Sequence, residues 1–275
     1  MITGFIGTGS MGNVLIDALI RSGALQPDQM IATNRTLAKV ERLALQYPGL
    51  QVALSNKEAA ASCDILFLCV KPGDFPQVIS DIASSCRPEQ IIISITSPVM
   101  IDQLEKRLQG KIAKVIPSIT NYVLSGASLC IYGNRMQPKD ICLLEGLLTP
   151  ISRPIRVAED YTRISSDLSS CGPAFMAFLL RKLIDAAVQE TGIPHPEAEQ
   201  MASEMLLGTG ILLTSGGLSP DQLIERVAVP GGITEEGLHL LERELRDSFT
   251  KLIQITHAKY AEDMKKVESI FCAFS

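Results

Sequence analysis

The chain has 275 residues, 46% of them hydrophobic, and carries a formal net charge of −5. That length and apolar content support a sizeable core in one large or two smaller domains. The acidic balance, the lack of Trp and the scattering of charge exclude the basic footprint and stacking platforms of a nucleic-acid binder.

A strand is expected from residue 2 onward, and no basic segment precedes it, so no signal peptide is expected. The longest apolar runs, DILFLCV and IIISI, are too short to cross a bilayer. These features point to a cytoplasmic chain without membrane contact. TGFIG reads as a buried strand and MGNVLIDALIRSG as a helix closed by Gly23. MIATN is a second strand, residues 36–47 a second helix and QVAL a short strand. DILFLCV follows, then a helix from about Gly73, the strand IIISI and a helix over residues 100–108. Strands KIAKVI and ASLCIY, a helix over 138–148 and strand PIRVA complete this half. Near-continuous apolar strands alternating with helices predict a doubly wound parallel sheet covered on both faces.

Near Asp160 the pattern changes. Phe175, Phe178, Leu179, Leu183 and Ala186 recur at helical spacing, and Met201, Met205, Leu206, Leu212 and Leu213 suggest a second helix. SPDQLIERV opens with a Ser cap and Pro at the first helical position. The expected division is an α/β domain over 1–160 and an all-α domain over 161–275. The wide apolar stripes of the second half must close on each other or on a second copy, which favours a homodimer or higher homo-oligomer.

Seven cysteines form no C-x-x-C pair, and most lie in apolar runs, as Cys69 does in LFLCVKP. Buried thiols in a reducing compartment are expected. His195, His239 and His257 are far apart, so no metal site is expected.

Gly7-Thr8-Gly9-Ser10-Met11-Gly12 is G-x-G-x-x-G, entered by a strand and left by a helix. In that setting Gly7 permits the tight turn, Gly9 lets the backbone approach a pyrophosphate and Gly12 lets the helix pack on the strand. The helix N-terminus adds free N–H groups and the positive dipole end. At the end of the second strand, where NAD sites place an acid, stands Asn34-Arg35-Thr36, with Lys39 one turn on. A guanidinium suits a 2′-phosphate, so NADP(H) is the expected cofactor. Lys71, in FLCVKPGDF, and Thr96 and Ser97, in ISITSP, stand at consecutive strand ends and suit a nicotinamide-ribose pocket. Pro230-Gly231-Gly232-Ile233-Thr234 opens a helix with several N–H groups in a row, an anion nest that a carboxylate would fit.

Taken in order, GTGSMG, NRT, VKP, VIPSIT, SSCGPAF and VPGGIT resemble the motifs of the pyrroline-5-carboxylate reductase family over essentially the whole chain. The resemblance implies an N-terminal Rossmann domain, a helical dimerisation domain and reduction of the ring C=N of a cyclic imine by NAD(P)H, giving proline from pyrroline-5-carboxylate. It places the cofactor on Gly7 to Gly12, Asn34, Arg35, Asn56, Val70, Lys71 and Pro72, and the substrate on Gly231, Gly232 and Thr234. Thr234 is implied as the hydrogen-bonding group near the ring nitrogen. A cyclic imine can enter already protonated, so catalysis can rest on positioning rather than on a strong side-chain acid.

Three segments depart from the family pattern. P-N-T-P is Pro117-Ser118-Ile119-Thr120 here, S-G-S-G is Ser169-Ser170-Cys171-Gly172, and S-P-G-G-T-T is Val229-Pro230-Gly231-Gly232-Ile233-Thr234. All three are in the substrate half, so Cys171 and Ile233 are expected to line an altered pocket beside an intact cofactor site. Each lost hydroxyl donor would cost about 1–3 kcal/mol if it bound substrate. The same variants resemble the late competence (ComER) branch of the family. An NADP-binding regulatory protein without reductase activity is therefore the alternative. A β-hydroxyacid dehydrogenase is disfavoured, because Lys182 lacks the Asn pair that class requires.

Overall fold

The computed structural model describes residues 1–273. It begins with β1 (Thr3–Ile6), α1 (Ser10–Arg21), β2 (Met30–Thr33), α2 (Leu37–Gln46), β3 (Gln51–Val52), α3 (Asn56–Ala61) and β4 (Ile65–Leu68). Next come α4 (Phe75–Ile82), β5 (Ile91–Ser94), α5 (Ile101–Glu105), β6 (Lys111–Ile116), β7 (Ala127–Tyr132), α6 (Pro138–Leu148) and β8 (Arg153–Arg156). Then α7 (Thr162–Ser166) runs through a π turn at Asp167–Cys171 into α8 (Gly172–Thr191). It is followed by α9 (His195–Leu213), α10 (Pro220–Val227), α11 (Ile233–Leu245) and α12 (Ser248–Ala273).

The strands form one sheet in the order β3-β2-β1-β4-β5-β6-β7-β8. β1, β2, β4 and β5 are buried at every residue. Both faces are covered, and the side chains that alternate along each strand feed two separate cores. Ile6, Leu66, Leu68 and Ile92 belong to one. Phe5, Phe67, Ile91 and Ile93 belong to the other, where the Phe5 and Phe67 rings stack with centroids 5.0 Å apart. The chain runs outward in one direction from β1 and in the other from β4, so the switch point falls between these two strands. Open α/β sheets bind ligands beyond the strand carboxyl ends at such a point.

The sheet is not wholly parallel. β7 runs antiparallel to β6, with Val115 opposite Cys130. The connection over residues 117–126 is too short for a crossover helix. It makes a 3₁₀ turn at Ile119–Val123 and a left-handed Leu124 instead. The short α3 has no counterpart in the sequence reading. Six residues cannot display a helical period, but the cap is regular: Ser55 Oγ accepts the Glu58 N–H at 3.1 Å, and Glu58 Oε2 accepts the Leu54 N–H at 2.7 Å. α5 is also shorter than the predicted 100–108 helix.

The chain divides into two compact units. One comprises residues 1–172 together with the chain from Thr256 onward, and the other residues 173–255. In the first unit, Val267 and Phe271 of α12 are buried in the core that holds Ile6 and Leu66. The Arg107 guanidinium lies 4.9 Å over the Phe271 ring. Two ion pairs on β6 each have one buried member: Lys111 with buried Asp140, and buried Lys114 with Glu159, each at 2.7 Å. The second unit is helical. Among its described residues only Ile184 and Ala198 are buried apolar side chains, while Phe178, Leu183, Met201, Met205, Leu207 and Ile211 are exposed. Helices this apolar on their outer faces need a partner surface.

Candidate functional site

The carboxyl ends of β1, β2 and β4 frame a cleft of about 670 Å³ within the first unit. Of the residues singled out in the sequence, Gly7, Gly9, Asn34, Arg35, Lys39, Asn56, Val70 and Lys71 line it. The three loop glycines have different surroundings. Gly7 has φ +99°, and a Cβ there would lie 2.5 Å from the Cys69 carbonyl oxygen. A Cβ on Gly12 would lie 2.3 Å from the Gly7 carbonyl oxygen. A Cβ on Gly9 would meet nothing within 4 Å. Gly7 and Gly12 thus serve the packing of loop on sheet, whereas the space at Gly9 is left open. Gly9 is also the N-cap of α1, no side chain caps that helix, and its first turn holds no acid. The open space, the uncapped N–H groups and the positive dipole end fit a phosphate group. Ser10 and Met11 form the first turn of α1, and Pro72 opens the 3₁₀ turn Pro72–Asp74.

Asn34 is a brace. Its Nδ2 donates to Thr8 Oγ1 at 3.0 Å, and its Oδ1 accepts the Thr36 N–H at 2.9 Å. Thr8 is itself buried, so this pair ties the glycine loop to the end of β2. Arg35 projects from that end with its side chain 92% exposed, 3.7 Å from Asp74. A surface pair of that length is weak, so the guanidinium is available to a ligand phosphate. Asn56 donates from Nδ2 to Asp81 at 2.8 Å, and Asp81 also accepts from Gln77 at 2.7 Å. Asp74, Gln77 and Asp81 line the cleft and had no signal in the sequence reading. They come from the turn before α4 (Asp74), its first turn (Gln77) and its last turn (Asp81), the last of these 25 residues from Asn56.

Thr96 does not line the cleft. It is buried, and its hydroxyl donates to the Val70 carbonyl at 3.0 Å, joining the ends of β4 and β5. Burial pushes the Cys69 thiol, on the cleft wall, up to about 12. It is an uncharged wall group rather than a nucleophile.

The segments that depart from the family pattern take two forms. Ser118 is buried; its N–H donates to Asn121 Oδ1 at 2.8 Å and its hydroxyl to the Ser169 carbonyl at 3.0 Å. Cys171 ends the π turn, with its Sγ 3.1 Å from an Arg163 nitrogen that also donates to Asp167 at 2.7 Å. In the second unit, Gly231 has φ +70° and Gly232 is the N-cap of α11. Thr234 is exposed, and so is Ile233, at 95%. The Gly231 N–H donates to Glu235 Oε2 at 2.6 Å, and the Gly232 N–H to the Val229 carbonyl at 2.9 Å. Among the described residues no group of three or more His, Cys, Asp or Glu could hold a metal ion, and no helix is long and apolar enough to cross a membrane.

Residues 159–263 match the family model described as pyrroline-5-carboxylate reductase dimerisation. Residues 2–98 match the model described as NADP oxidoreductase coenzyme F420-dependent. Pyrroline-5-carboxylate reductase 3 of Macaca fascicularis is 32% identical over 245 residues, 87% of each chain. The chain belongs to the pyrroline-5-carboxylate reductase family. A family relative, ComE operon protein 4 of Bacillus subtilis (strain 168), is 41% identical over 271 residues, covering 98% of this chain and 99% of that one. Among solved structures, a pyrroline-5-carboxylate reductase from Coxiella burnetii superposes with a TM-score of 0.84 at 25% identity, covering 96% of this chain and 97% of the other. The doubly wound first unit and the helical second unit are the architecture of this family.

Proposed function

We propose that the protein is an NADPH-dependent reductase of a cyclic imine, with pyrroline-5-carboxylate the substrate its family membership suggests. The observation that carries the cofactor half is the open approach to Gly9 between two glycines jammed against backbone. In this reading Gly9 and the first turn of α1 hold the pyrophosphate, Arg35 and Lys39 take the 2′-phosphate, and Val70 and Lys71 line the cleft wall. When bound, NADPH would supply a hydride to the imine carbon of a substrate that arrives already protonated on its ring nitrogen. Thr234, two residues after Gly232, offers a hydroxyl at the same turn and would hold that nitrogen by a hydrogen bond. The residues named carry no strong acid, so the chain's contribution is to bind and orient the two reactants.

The test is NADPH oxidation by the purified chain with excess pyrroline-5-carboxylate, beside an NADPH-binding titration. Thr234→Ala is expected to lower turnover about a hundredfold and to leave the NADPH dissociation constant unchanged. Unchanged turnover would remove Thr234 from its role. A second reading has its own support, because apolar Val229 and Ile233 stand where the family motif has hydroxyls. Under it the chain binds NADPH as a regulatory protein and turns over no cyclic imine. Binding without turnover across a panel of such imines would favour it.

The exposed apolar side chains of α8 and α9 and the match to a dimerisation model support a homodimer or a larger homo-oligomer. Ile211→Glu, at an exposed apolar position of α9, is expected to give the mass of a single chain in sedimentation analysis, where the unaltered protein gives a multiple. A single-chain mass for the unaltered protein would overturn this assignment. The thiols are free, and Cys63, Cys86 and Cys130 are buried, which suits a reducing compartment such as the cytoplasm.

A further inference from the structure

We propose that Asp74 is a specificity-determining residue of the cofactor cleft: its carboxylate opposes a 2′-phosphate held by Arg35 and accepts a hydrogen bond from the 2′-hydroxyl of NADH. It thereby restrains the preference for NADPH over NADH that Arg35 creates. The inference rests on the reading of Arg35 as the group that takes the 2′-phosphate.

NAD sites carry an acid for the ribose 2′-hydroxyl at the end of the second strand. Here the end of β2 has none: Asn34 is spent on Thr8 and on the Thr36 N–H, and Arg35 follows it. A carboxylate nevertheless reaches the same place from the far side of the cleft. Asp74 Oδ1 lies 3.7 Å from Arg35 Nη1, and both residues line the cleft. The turn Pro72–Asp74 brings it there, with the Asp74 N–H donating to the Lys71 carbonyl at 2.9 Å. Asp74 is also the N-cap of α4, where an Asp ordinarily accepts a helix N–H, yet its side chain makes no cap bond. Asp81, the other carboxylate lining the cleft, has both oxygens engaged, one by Asn56 and one by Gln77. Among the described residues the Asp74 carboxylate has Arg35 as its one partner. A phosphate oxygen bonded to the same Arg35 nitrogen at about 2.8 Å would stand within about 6.5 Å of Asp74, inside the Debye length at physiological salt. The phosphate can replace the weak Asp74–Arg35 pair, but the displaced carboxylate stays beside it on a fixed turn. A 2′-phosphate thus meets a cation and an anion together, whereas a 2′-hydroxyl can donate to the anion. Repulsion of this kind separates two ligands that share every other contact.

Fluorescence titration of the full chain with NADPH and with NADH reads both contacts. Asp74→Asn removes the charge and keeps an acceptor oxygen. It is expected to tighten NADPH about fivefold or more and to leave NADH within about twofold. The gain should shrink at about 0.5 M salt, because it comes from a partly exposed charge. Asp74→Ala removes the acceptor as well, and should tighten NADPH to a similar degree while weakening NADH about threefold or more. Glu89→Gln removes the same charge two residues before β5, at the edge of the parallel sheet opposite the cleft, and should leave both affinities within about twofold. NADPH affinity unmoved by both Asp74 variants would overturn the proposal, and a lowered Tm alongside would make Asp74 a structural residue of the turn. An equal gain in Glu89→Gln would overturn it too, by reducing the effect to net charge. NADH binding undiminished in Asp74→Ala would remove the hydroxyl contact. Arg35→Ala keeps the underlying reading separate: it is expected to weaken NADPH about tenfold or more and to spare NADH. If it spares NADPH as well, the phosphate assignment of Arg35 fails and the inference falls with it. If it weakens NADPH while Asp74→Asn changes nothing, the inference alone falls.

Discussion

Gly9→Ala is expected to weaken NADPH binding about a hundredfold, a loss of about 2.8 kcal/mol, while leaving Tm unchanged. The reason is that the new methyl group meets nothing beyond its own chain neighbours: among the described residues no other atom lies within 4 Å of its position. The backbone at Gly9 has φ −79°, which any residue adopts, so the folded state bears no strain from the change. Only a ligand approaching the open backbone would meet the methyl. Gly12→Ala should behave in the opposite way. Its Cβ would lie 2.3 Å from the Gly7 carbonyl oxygen, a backbone atom that cannot swing aside. The helix would have to shift off the strand, at a cost of about 1–3 kcal/mol in stability, with loss of binding following from the damaged fold. A fluorescence titration with NADPH beside a thermal melt reads both variants. If Gly9→Ala bound NADPH as tightly as the unaltered chain, the loop would be only a tight turn between strand and helix.

Lys114→Ala is expected to cost about 3–5 kcal/mol in urea unfolding, the largest stability effect anticipated in the first unit. The Lys114 side chain is fully buried. Its Nζ donates to Glu159 at 2.7 Å and to the Ser97 carbonyl at 3.2 Å. Burial holds the ammonium below its usual range, and Glu159 opposes that shift without cancelling it. The alanine variant would leave a cavity and a partly buried carboxylate without its cation, because among the described residues Glu159 would keep the Ile101 N–H alone, at 3.0 Å. Replacing both members, as Lys114→Met with Glu159→Gln, should restore most of the loss, since filling the volume with uncharged groups removes the cost of burying the pair. A loss below about 1 kcal/mol for Lys114→Ala would mean that the pair is solvated and structurally incidental. The pair anchors the segment after β5. Tyr260 of α12 donates to the same Ser97 carbonyl at 3.2 Å, and Thr96 beside it holds the end of β4 through the Val70 carbonyl. Damage there would reach the cleft wall through these bonds.

The parts of the site that could be read from the sequence are those in which neighbouring residues act together. The glycine loop is one stretch of chain, and the roles of its glycines follow from the turn between a strand and a helix. Arg35 could be read because the end of the second strand falls a fixed distance after that loop. Asp74 and Asp81 could not, because nothing near them in the chain names Arg35 or Asn56 as their partners. Thr96 reads as a free hydroxyl at a strand end, yet it is spent on the Val70 carbonyl, a contact between two strands that periodicity does not reveal. The direction of β7 was hidden for a related reason. An apolar run looks the same in parallel and antiparallel pairing, and only the short 117–126 connection distinguishes them. The Gly231 turn was visible as a nest of amides. That Glu235 already fills part of it depends on a rotamer, which sequence spacing permits but does not dictate.

α12 carries a consequence for the order in which the chain matures. Val267 and Phe271 belong to the same core as Ile6 and Leu66, and the helical unit of residues 173–255 is inserted between them in the sequence. As the chain leaves the ribosome, the sheet can form early, but its core stays open until the end of α12 has been made and has returned to it. Closing that core joins residues far apart in the chain, the kind of contact that slows folding. The nucleotide-binding unit, though it begins the chain, is therefore among the last parts to be finished.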